Sequence, residues 1–377
     1  MICPKLFFDE LTQNNVHFFT GVPDSLLKHF CAYLEDQLKE KNHIIGANEG
    51  SCVSLAAGHY LSTGKIPLVY MQNSGLGNIV NPLTSLIDQE VYSIPMLLLI
   101  GLRGNPGQKD EPQHKKMGRI SLSLLDCLEI PYGILTSDNQ NFSVLKKAFL
   151  TIQKTKSPFA LLVEPNTFSP YKSTTPKQEE YFELSRQEAL EFCVKEIEEN
   201  SLIVSTTGHL SRELYQYRLK ENENGINCKK DFKVIGAMGH ANQIALGISN
   251  NVNKKVYCFD GDGASLMHLG NWAVCAQKAQ TNFKHILFNN GVHGSVGGQK
   301  TIGHQIDFVS VSKALGYKNF YKVSSKKELK NLWELFKQAP GPSLLEIITN
   351  TKVNKNLPRP KELPTQSKKL FMDFINE

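Results

Sequence analysis

The sequence predicts an α/β protein made of two doubly wound parallel-sheet domains. Three observations carry that expectation. Short apolar, β-rich runs alternate with helical patterns, the signature of parallel strands joined by crossover helices. The alternation starts afresh after a stretch rich in Pro, Ser, Thr and charge, residues 165–189. The two series also close on similar runs, SPFALLVEP in the first and GPSLLEIIT in the second, which suggests related topologies.

In the first half, helical patterns over DELTQNNVHFF and GSCVSLAAGHYLSTG accompany strands predicted at residues 65–72 (KIPLVYMQ), 94–101 (IPMLLLIG) and 158–164 (PFALLVE). The stretch between the halves ends in a capping-box pattern, Ser185 and Glu188, which marks the first helix of the second half. The expected extents are therefore 1–168 and 186–377, with 169–185 as linker. Strands of the second half are predicted at residues 201–208, 231–239, 254–263, 284–291 and 342–349.

A chain of 377 residues, 41% of them hydrophobic, can bury two cores of ordinary size. The N-terminus lacks the basic segment and apolar block of a secretory signal, and no apolar run reaches the length of a membrane span, so a cytoplasmic protein is expected. Eight scattered cysteines without a CxxC pair argue against a zinc ribbon, an iron–sulfur cluster or a disulfide framework, and read as small buried hydrophobes. The net charge of +6 is spread thinly, which disfavours nucleic acid and leaves an anionic small molecule as partner. No GxGxxG follows a first strand, which disfavours a dinucleotide dehydrogenase.

The most specific signal lies between residues 254 and 291. One strand-like run ends in FDGDG and the next in the pair Asn289 and Asn290, with 25 residues between Gly263 and Asn289. At the C-terminal ends of parallel strands the chain enters the crevice where open α/β sheets bind ligands. Either Asp260 or Asp262 is expected at that mouth, with Gly261 and Gly263 allowing close backbone approach. A carboxylate and an amide oxygen on neighbouring strand ends are hard ligands, suited to Mg²⁺ shared with a diphosphate. Taken singly, GDG is more often a tight turn and NN a polar loop; the spacing, with a strand before each, changes the reading.

With that spacing the chain resembles the thiamine diphosphate enzymes of the decarboxylase type. The resemblance implies thiamine diphosphate and Mg²⁺ as cofactors and no middle domain, with 1–168 binding the pyrimidine and 186–377 the diphosphate. It gives Asp262, Asn290 and the carbonyl of Val292 as metal ligands, with Asn289 as the alternative to Asn290, and Gly261, Gly263 and Ala264 as cofactor contacts. In Gly236-Ala237-Met238-Gly239, followed by His240, the Gly236 carbonyl would accept from the 4′-amino group and Met238 would wedge the bent cofactor. Without the resemblance, that segment is a strand-to-helix turn with a core methionine. Glu49 stands alone at a strand end, before a helix almost devoid of charge. It would otherwise be an N-terminal helix charge; here it resembles the cofactor-activating glutamate of the superfamily. A carboxyl buried against an aromatic ring holds its proton more readily, and can share it with the pyrimidine so that the C2 proton of the thiazolium is removed. Ser74 and Asn78 are further candidate cofactor contacts.

Longer blocks narrow the resemblance. GVPDSLLK (21–28), QNSGLGNIVNPLTSL (72–86), IGLRGNPGQKDEPQHKKMGRI (100–120), STTGHLSRELY (205–215) and NNGVHGSVGGQ (289–299) look like phosphonopyruvate decarboxylases, with sulfopyruvate decarboxylases as their relatives. Where that family reads DNGSHDSTGGQ, Asn289 stands for an aspartate, and Gly294 and Val296 for Asp and Thr; this makes Asn290 the better metal candidate. A phosphonate needs convergent donors, and Ser25, Lys28, Arg103 and Lys109 are candidates to bind the substrate. The loop before residue 114 reads as a solvated connection or a lid. By resemblance, Gln113 and His114 handle protons near the thiazolium. His240, His293 and His304 are less specific, since a lone histidine beside glycine can simply donate to backbone. The implied reaction is decarboxylation of 3-phosphonopyruvate to phosphonoacetaldehyde and CO₂. Sulfopyruvate or another anionic 2-oxo acid, and a non-catalytic subunit retaining the fold, are the alternatives; the presence of both Glu49 and Asp262 counts against the last. Because those two residues fall in different domains, the resemblance implies a homodimer or higher homo-oligomer with sites completed between chains.

Overall fold

The computed structural model describes residues 1–138, 142–174, 182–221, 229–354 and 356–377. Residues 175–181 of the expected linker and Cys228 lie outside that set. The chain divides into two compact units, Met1–Lys177 and Gln178–Glu377.

The first unit holds strands β1 (Phe19–Gly21), β2 (His43–Ile45), β3 (Leu68–Gln72), β4 (Leu97–Gly101), β5 (Tyr132–Leu135) and β6 (Phe159–Val163). They form one parallel sheet in the order β2-β1-β3-β4-β6-β5. The second unit holds β7 (Leu202–Ser205), β8 (Asp231–Lys233), β9 (Val256–Gly261), β10 (Phe283–Asn289), β11 (Val292–His293), β12 (Gln299–Lys300), β13 (Asn319–Val323) and β14 (Ser343–Ile348). Its parallel sheet runs β13-β14-β10-β9-β7-β8, and β11 and β12 form a small antiparallel hairpin beyond β10. With each sheet's strands counted from its own first strand, and the second sheet read from its β8 edge, both orders are 2-1-3-4-6-5. The similar runs SPFALLVEP and GPSLLEIIT are β6 and β14, the sixth strand of each sheet. In both units the order reverses direction between the first and third strands, the switch point at which open sheets bind ligands.

Both faces of each sheet are covered, which is why the strands read as continuous apolar runs. In the second unit Ile203, Tyr257, Phe259, Ile286 and Leu345 enter one core. Their neighbours Leu202, Val204, Cys258, Leu287 and Leu344 enter the other. In the first unit Leu68, Tyr70, Leu97, Leu99 and Leu161 face Phe7, Phe30 and Phe149, while Val69, Leu98, Ile100 and Leu162 are buried on the opposite side.

The expected helix over DELTQNNVHFF is displaced. The helix is Pro4–Gln13, ended by Asn14, and Asn15 turns the chain at φ 62° before Phe19 enters β1. Two consecutive asparagines stop a helix because their side chains compete for backbone groups and tolerate left-handed geometry. Strands β2, β5 and β13 escape the apolar pattern because each is partly exposed, and β1 because it has only three residues. The Ser185–Glu188 capping box is present, each side chain bonded to the other residue's backbone N–H. Cys31, Cys52, Cys193, Cys258 and Cys275 are buried, whereas Cys3 and Cys127, at the ends of helices, are exposed and correct the expectation for those two. Among the described residues no helix is long and apolar enough to cross a membrane.

Candidate active site

In the second unit the two expected acidic positions separate. Asp260 lies within β9, fully buried, facing His285 at 3.5 Å and accepting from the Asn242 amide at 3.3 Å. Asp262 is the one at the mouth, at the start of the helix Asp262–Met267. The β9/β10 register pairs Gly261 with Phe288, so Asp262 and Asn289 emerge level with each other. Asp262 is only 2% exposed. Burial raises its carboxyl above the usual range, opposed by the Thr301 hydroxyl and the Asn290 backbone N–H, both of which donate to it.

Asn289 and Asn290 do different things. The Asn289 amide donates to the Gly303 carbonyl at 3.0 Å and to Glu346 at 2.8 Å, and its oxygen accepts from Gly291 N–H at 3.3 Å. The Asn290 side-chain oxygen turns back toward Val292, accepting its N–H at 3.3 Å. Asp262, Asn290 and Val292 thus lie on adjoining strand ends and offer a carboxylate, an amide oxygen and a peptide carbonyl. A buried carboxylate among neutral oxygens fits a divalent cation, which would offset the desolvation that now raises its carboxyl.

The other candidates of this unit gather around the same helix. At the end of β8, Ala237 and Gly239 take positive φ (46° and 85°). A Cβ on Gly239 would come within 3.0 Å of the Ala264 carbonyl and 2.6 Å of the His268 ring, so only glycine lets this turn approach the Asp262 helix. His240 stacks on His268 with ring centroids 4.5 Å apart. His293 lies over Gly263, where a Cβ would meet its ring at 2.9 Å; burial lowers its pKa to about 4, keeping it neutral at ordinary pH. His304 approaches the Asn289 carbonyl at 3.3 Å. Gly236 and Met238 lie in the same turn, with Gly236 half-buried.

In the first unit Glu49 opens the helix Glu49–Thr63, capped by Asn48, whose side chain accepts from Gly50 N–H. It is 5% exposed. Asn78 donates to its carboxylate at 2.6 Å, and the backbone of Gly75 passes so close that a Cβ there would fall 2.7 Å from Glu49 Oε1. Ser74 instead donates to Gln72 at 2.9 Å, and Gln72 donates to the buried Asp24 at 2.6 Å. The loop after β4 is tied down. Arg103 grips Asp110 through two nitrogens, with Nε 2.8 Å from Oδ2, and donates to Ser25 at 2.8 Å. Asp110 also accepts from the N–H groups of Gly104 and Glu111; burial pushes its carboxyl up, but the Arg103 guanidinium and the Gly104 N–H together hold it below the usual range. Gln113 and His114 occupy the first turn of the helix Pro112–Cys127, half-buried, and burial lowers the His114 pKa.

Ser25 and Arg103 are therefore brought together, while Lys28 and Lys109 are exposed. Sequence reasoning missed Asp110, Asn73, Thr301 and Glu346. Asn73, fully buried, donates to the Arg103 carbonyl at 2.8 Å and anchors the loop from below. The loop's RGNPGQKDE run contained a signal, two adjacent acids, Asp110 and Glu111, following a single arginine. Thr301 follows the NNGVHGSVGGQ block by two residues, but nothing in the spacing aims its hydroxyl at Asp262, and Glu346 lies in a distant strand.

The chain matches two family descriptions, the thiamine pyrophosphate enzyme N-terminal TPP binding domain over residues 3–122 and the C-terminal TPP binding domain over residues 206–347. Two doubly wound sheets matching that pair of domains define a thiamine pyrophosphate enzyme. Over 97% of its length the chain is 31% identical to a phosphonopyruvate decarboxylase of Streptomyces viridochromogenes, covering 93% of that protein. It is 26% identical to a sulfopyruvate decarboxylase of Methanosarcina acetivorans, over 97% of this chain and 96% of that one. In Methanococcus maripaludis, sulfopyruvate decarboxylase subunits alpha and beta match 44% and 52% of this chain at 34% and 28% identity, covering 95% and 100% of their own lengths. The chain belongs to the phosphonopyruvate decarboxylase family and is a decarboxylase of the phosphonopyruvate or sulfopyruvate type.

Proposed function

We propose that the chain decarboxylates 3-phosphonopyruvate to phosphonoacetaldehyde and CO₂, with thiamine diphosphate and Mg²⁺. The observation that supports the choice of substrate is the near full-length likeness, at 31% identity, to a protein named phosphonopyruvate decarboxylase, against 26% for the single-chain sulfopyruvate decarboxylase matched over the same share of this chain. Bound thiamine diphosphate supplies the electron sink for loss of CO₂. The residues of the chain bind, orient and move protons. Asp262, Asn290 and the Val292 carbonyl hold the cation. The turn Gly236–His240 and residues Gly261, Gly263 and Ala264 receive the cofactor. Glu49, buried and oriented by Asn78, exchanges a proton with the pyrimidine.

Arg103 and Ser25, already joined, are the donors assigned to the second anion of the substrate, with the exposed Lys28 and Lys109 as additions. His114, whose pKa burial lowers, handles a proton beside the reacting carbon, and Gln113 offers an amide next to it. Ser74 and Asn78 complete the cofactor contacts of the first unit. A homo-oligomer completes the site, since the glutamate and the metal ligands lie in separate units and the methanococcal relative is named as two subunits. The deciding experiment compares kcat/KM for phosphonopyruvate, sulfopyruvate and pyruvate, each followed by aldehyde release with Mg²⁺ and thiamine diphosphate present. A clear preference for phosphonopyruvate is expected. A preference for sulfopyruvate would transfer the assignment to that acid.

A further inference from the structure

We propose that Asn289 and Glu346 are a matched donor–acceptor pair that positions the cation-binding end of β10, and that the amide at 289 is required by the carboxylate at 346. The inference rests on the reading of Asp262 and Asn290 as metal ligands.

Both residues are fully buried. They lie on neighbouring strands, with Glu346 opposite Leu287 in the β10/β14 register, so their side chains share a face of the sheet and meet diagonally. One carboxylate oxygen of Glu346 accepts from Asn289 at 2.8 Å, and the other faces Lys322 of β13 at 3.6 Å. The second amide hydrogen of Asn289 goes to the Gly303 carbonyl at 3.0 Å, and its oxygen takes Gly291 N–H at 3.3 Å. Both donors of this amide, and its oxygen, are thus directed at the chain itself.

The segment it holds reaches the metal ligand on the other strand. Gly303 N–H donates to the Thr301 hydroxyl at 3.1 Å, and that hydroxyl donates to Asp262. A Cβ on Gly303 would sit 2.6 Å from Asp262 Oδ2 and 2.7 Å from Asn289 Oδ1, so this backbone is wedged between the ends of β9 and β10. Glu346, Asn289, Gly303 and Thr301 therefore form a continuous strut from β14 to Asp262.

Position 289 is where the chain departs from the aspartate of the related pattern. An aspartate here carries at most one proton, so it can serve Glu346 or the Gly303 carbonyl but not both, and ionised it serves neither, which is costly in a buried network. Asparagine supplies both donors.

The test uses N289D, E346Q and the double variant, titrated with thiamine diphosphate in the presence of Mg²⁺ by calorimetry, with melting temperatures of the cofactor-free proteins measured alongside. N289D is expected to weaken Mg²⁺-supported binding by about tenfold or more, the effect of leaving buried acceptors unpaired. In the double variant the amide introduced on β14 donates to the carboxylate introduced on β10, while the Gly303 carbonyl stays without its donor, so affinity is expected to recover in part, above N289D alone and below E346Q alone. A purely structural pair would move the melting temperatures and leave the affinities unchanged, which overturns the proposal. So would a double variant as weak as the two single effects combined, or an N289D protein that binds Mg²⁺ more tightly because its carboxylate ligates the ion directly. If N289D does not fold, a folded, cofactor-binding double variant supports the pairing and an unfolded one overturns it. Asp262→Ala in the same titration separates the two readings. Normal Mg²⁺-supported binding there removes the metal assignment, whereas loss of binding there without coupling between 289 and 346 removes only the pair.

Discussion

The Asn78 amide donates to the Glu49 carboxylate across 2.6 Å, from the helix Leu76–Ser85 to the start of the helix Glu49–Thr63. One oxygen of a buried carboxylate is thereby held, and the backbone of Gly75 confines the other side of the group. Glu49→Gln keeps the size and the helix start but cannot exchange a proton. We expect turnover to fall by roughly a hundredfold or more with cofactor affinity nearly unchanged. Steady-state kinetics together with a cofactor titration checks this, and loss of binding along with turnover would assign Glu49 a structural role instead.

Gly75→Ala probes the same group from the other side. The new methyl would fall 2.7 Å from Glu49 Oε1 and Cγ, so the glutamate must move. Overpacking of this kind costs about 1–3 kcal/mol, and a displaced acid–base group loses rate in addition. The expected outcome is a lower kcat at near wild-type cofactor saturation, with Gly77→Ala, where a Cβ meets nothing within 4 Å, as the silent control.

Specificity should reside in Arg103 more than in Lys28. The guanidinium is held by Asp110 and already bonded to Ser25, whereas Lys28 is exposed at the start of the helix Lys28–Gln37. Arg103→Ala is expected to cost phosphonopyruvate about 1.5–3 kcal/mol in kcat/KM, the range for hydrogen bonds to charged groups, and pyruvate much less. Lys28→Ala should cost less than Arg103→Ala. Equal losses on both substrates with Arg103→Ala would make it a loop anchor only.

If sites are completed between chains, Glu49→Gln and Asp262→Ala proteins, each strongly impaired, should regain part of the activity when mixed and allowed to exchange subunits. The recovered sites join one intact half from each chain. Absence of recovery, with exchange demonstrated by labelled subunits, would place both residues in a site made by one chain.

His43 gives a pH dependence. Burial lowers its pKa from 6.5 to about 4, with Tyr70 hydroxyl 2.9 Å from its Nε2. The unfolded chain takes up the proton first, so this contribution to stability is complete above pH 6.5 and declines as the pH falls toward about 4. The loss amounts to at most about 3 kcal/mol. His43→Asn should flatten the fall of the urea midpoint between those two pH values relative to wild type. An identical slope in both proteins would show that His43 does not titrate this way.

What the sequence determined by itself was whatever is written locally. Apolar runs marked the long buried strands, Ser185 and Glu188 marked a helix start, and the interval from Gly263 to Asn289 placed a carboxylate and an amide on successive strand ends. Short or half-exposed strands such as β1 and β13 left too few apolar residues to read. Tertiary structure alone decided the partners. Register across β9 and β10 chose Asp262 over Asp260 for the mouth, and the meeting of Asn78 with Glu49, of Arg103 with Ser25 and of Asn289 with Glu346 joins residues 29, 78 and 57 positions apart. A hydrogen bond of that kind depends on which strands lie side by side and on where each crossover helix begins, and no spacing along the chain encodes either.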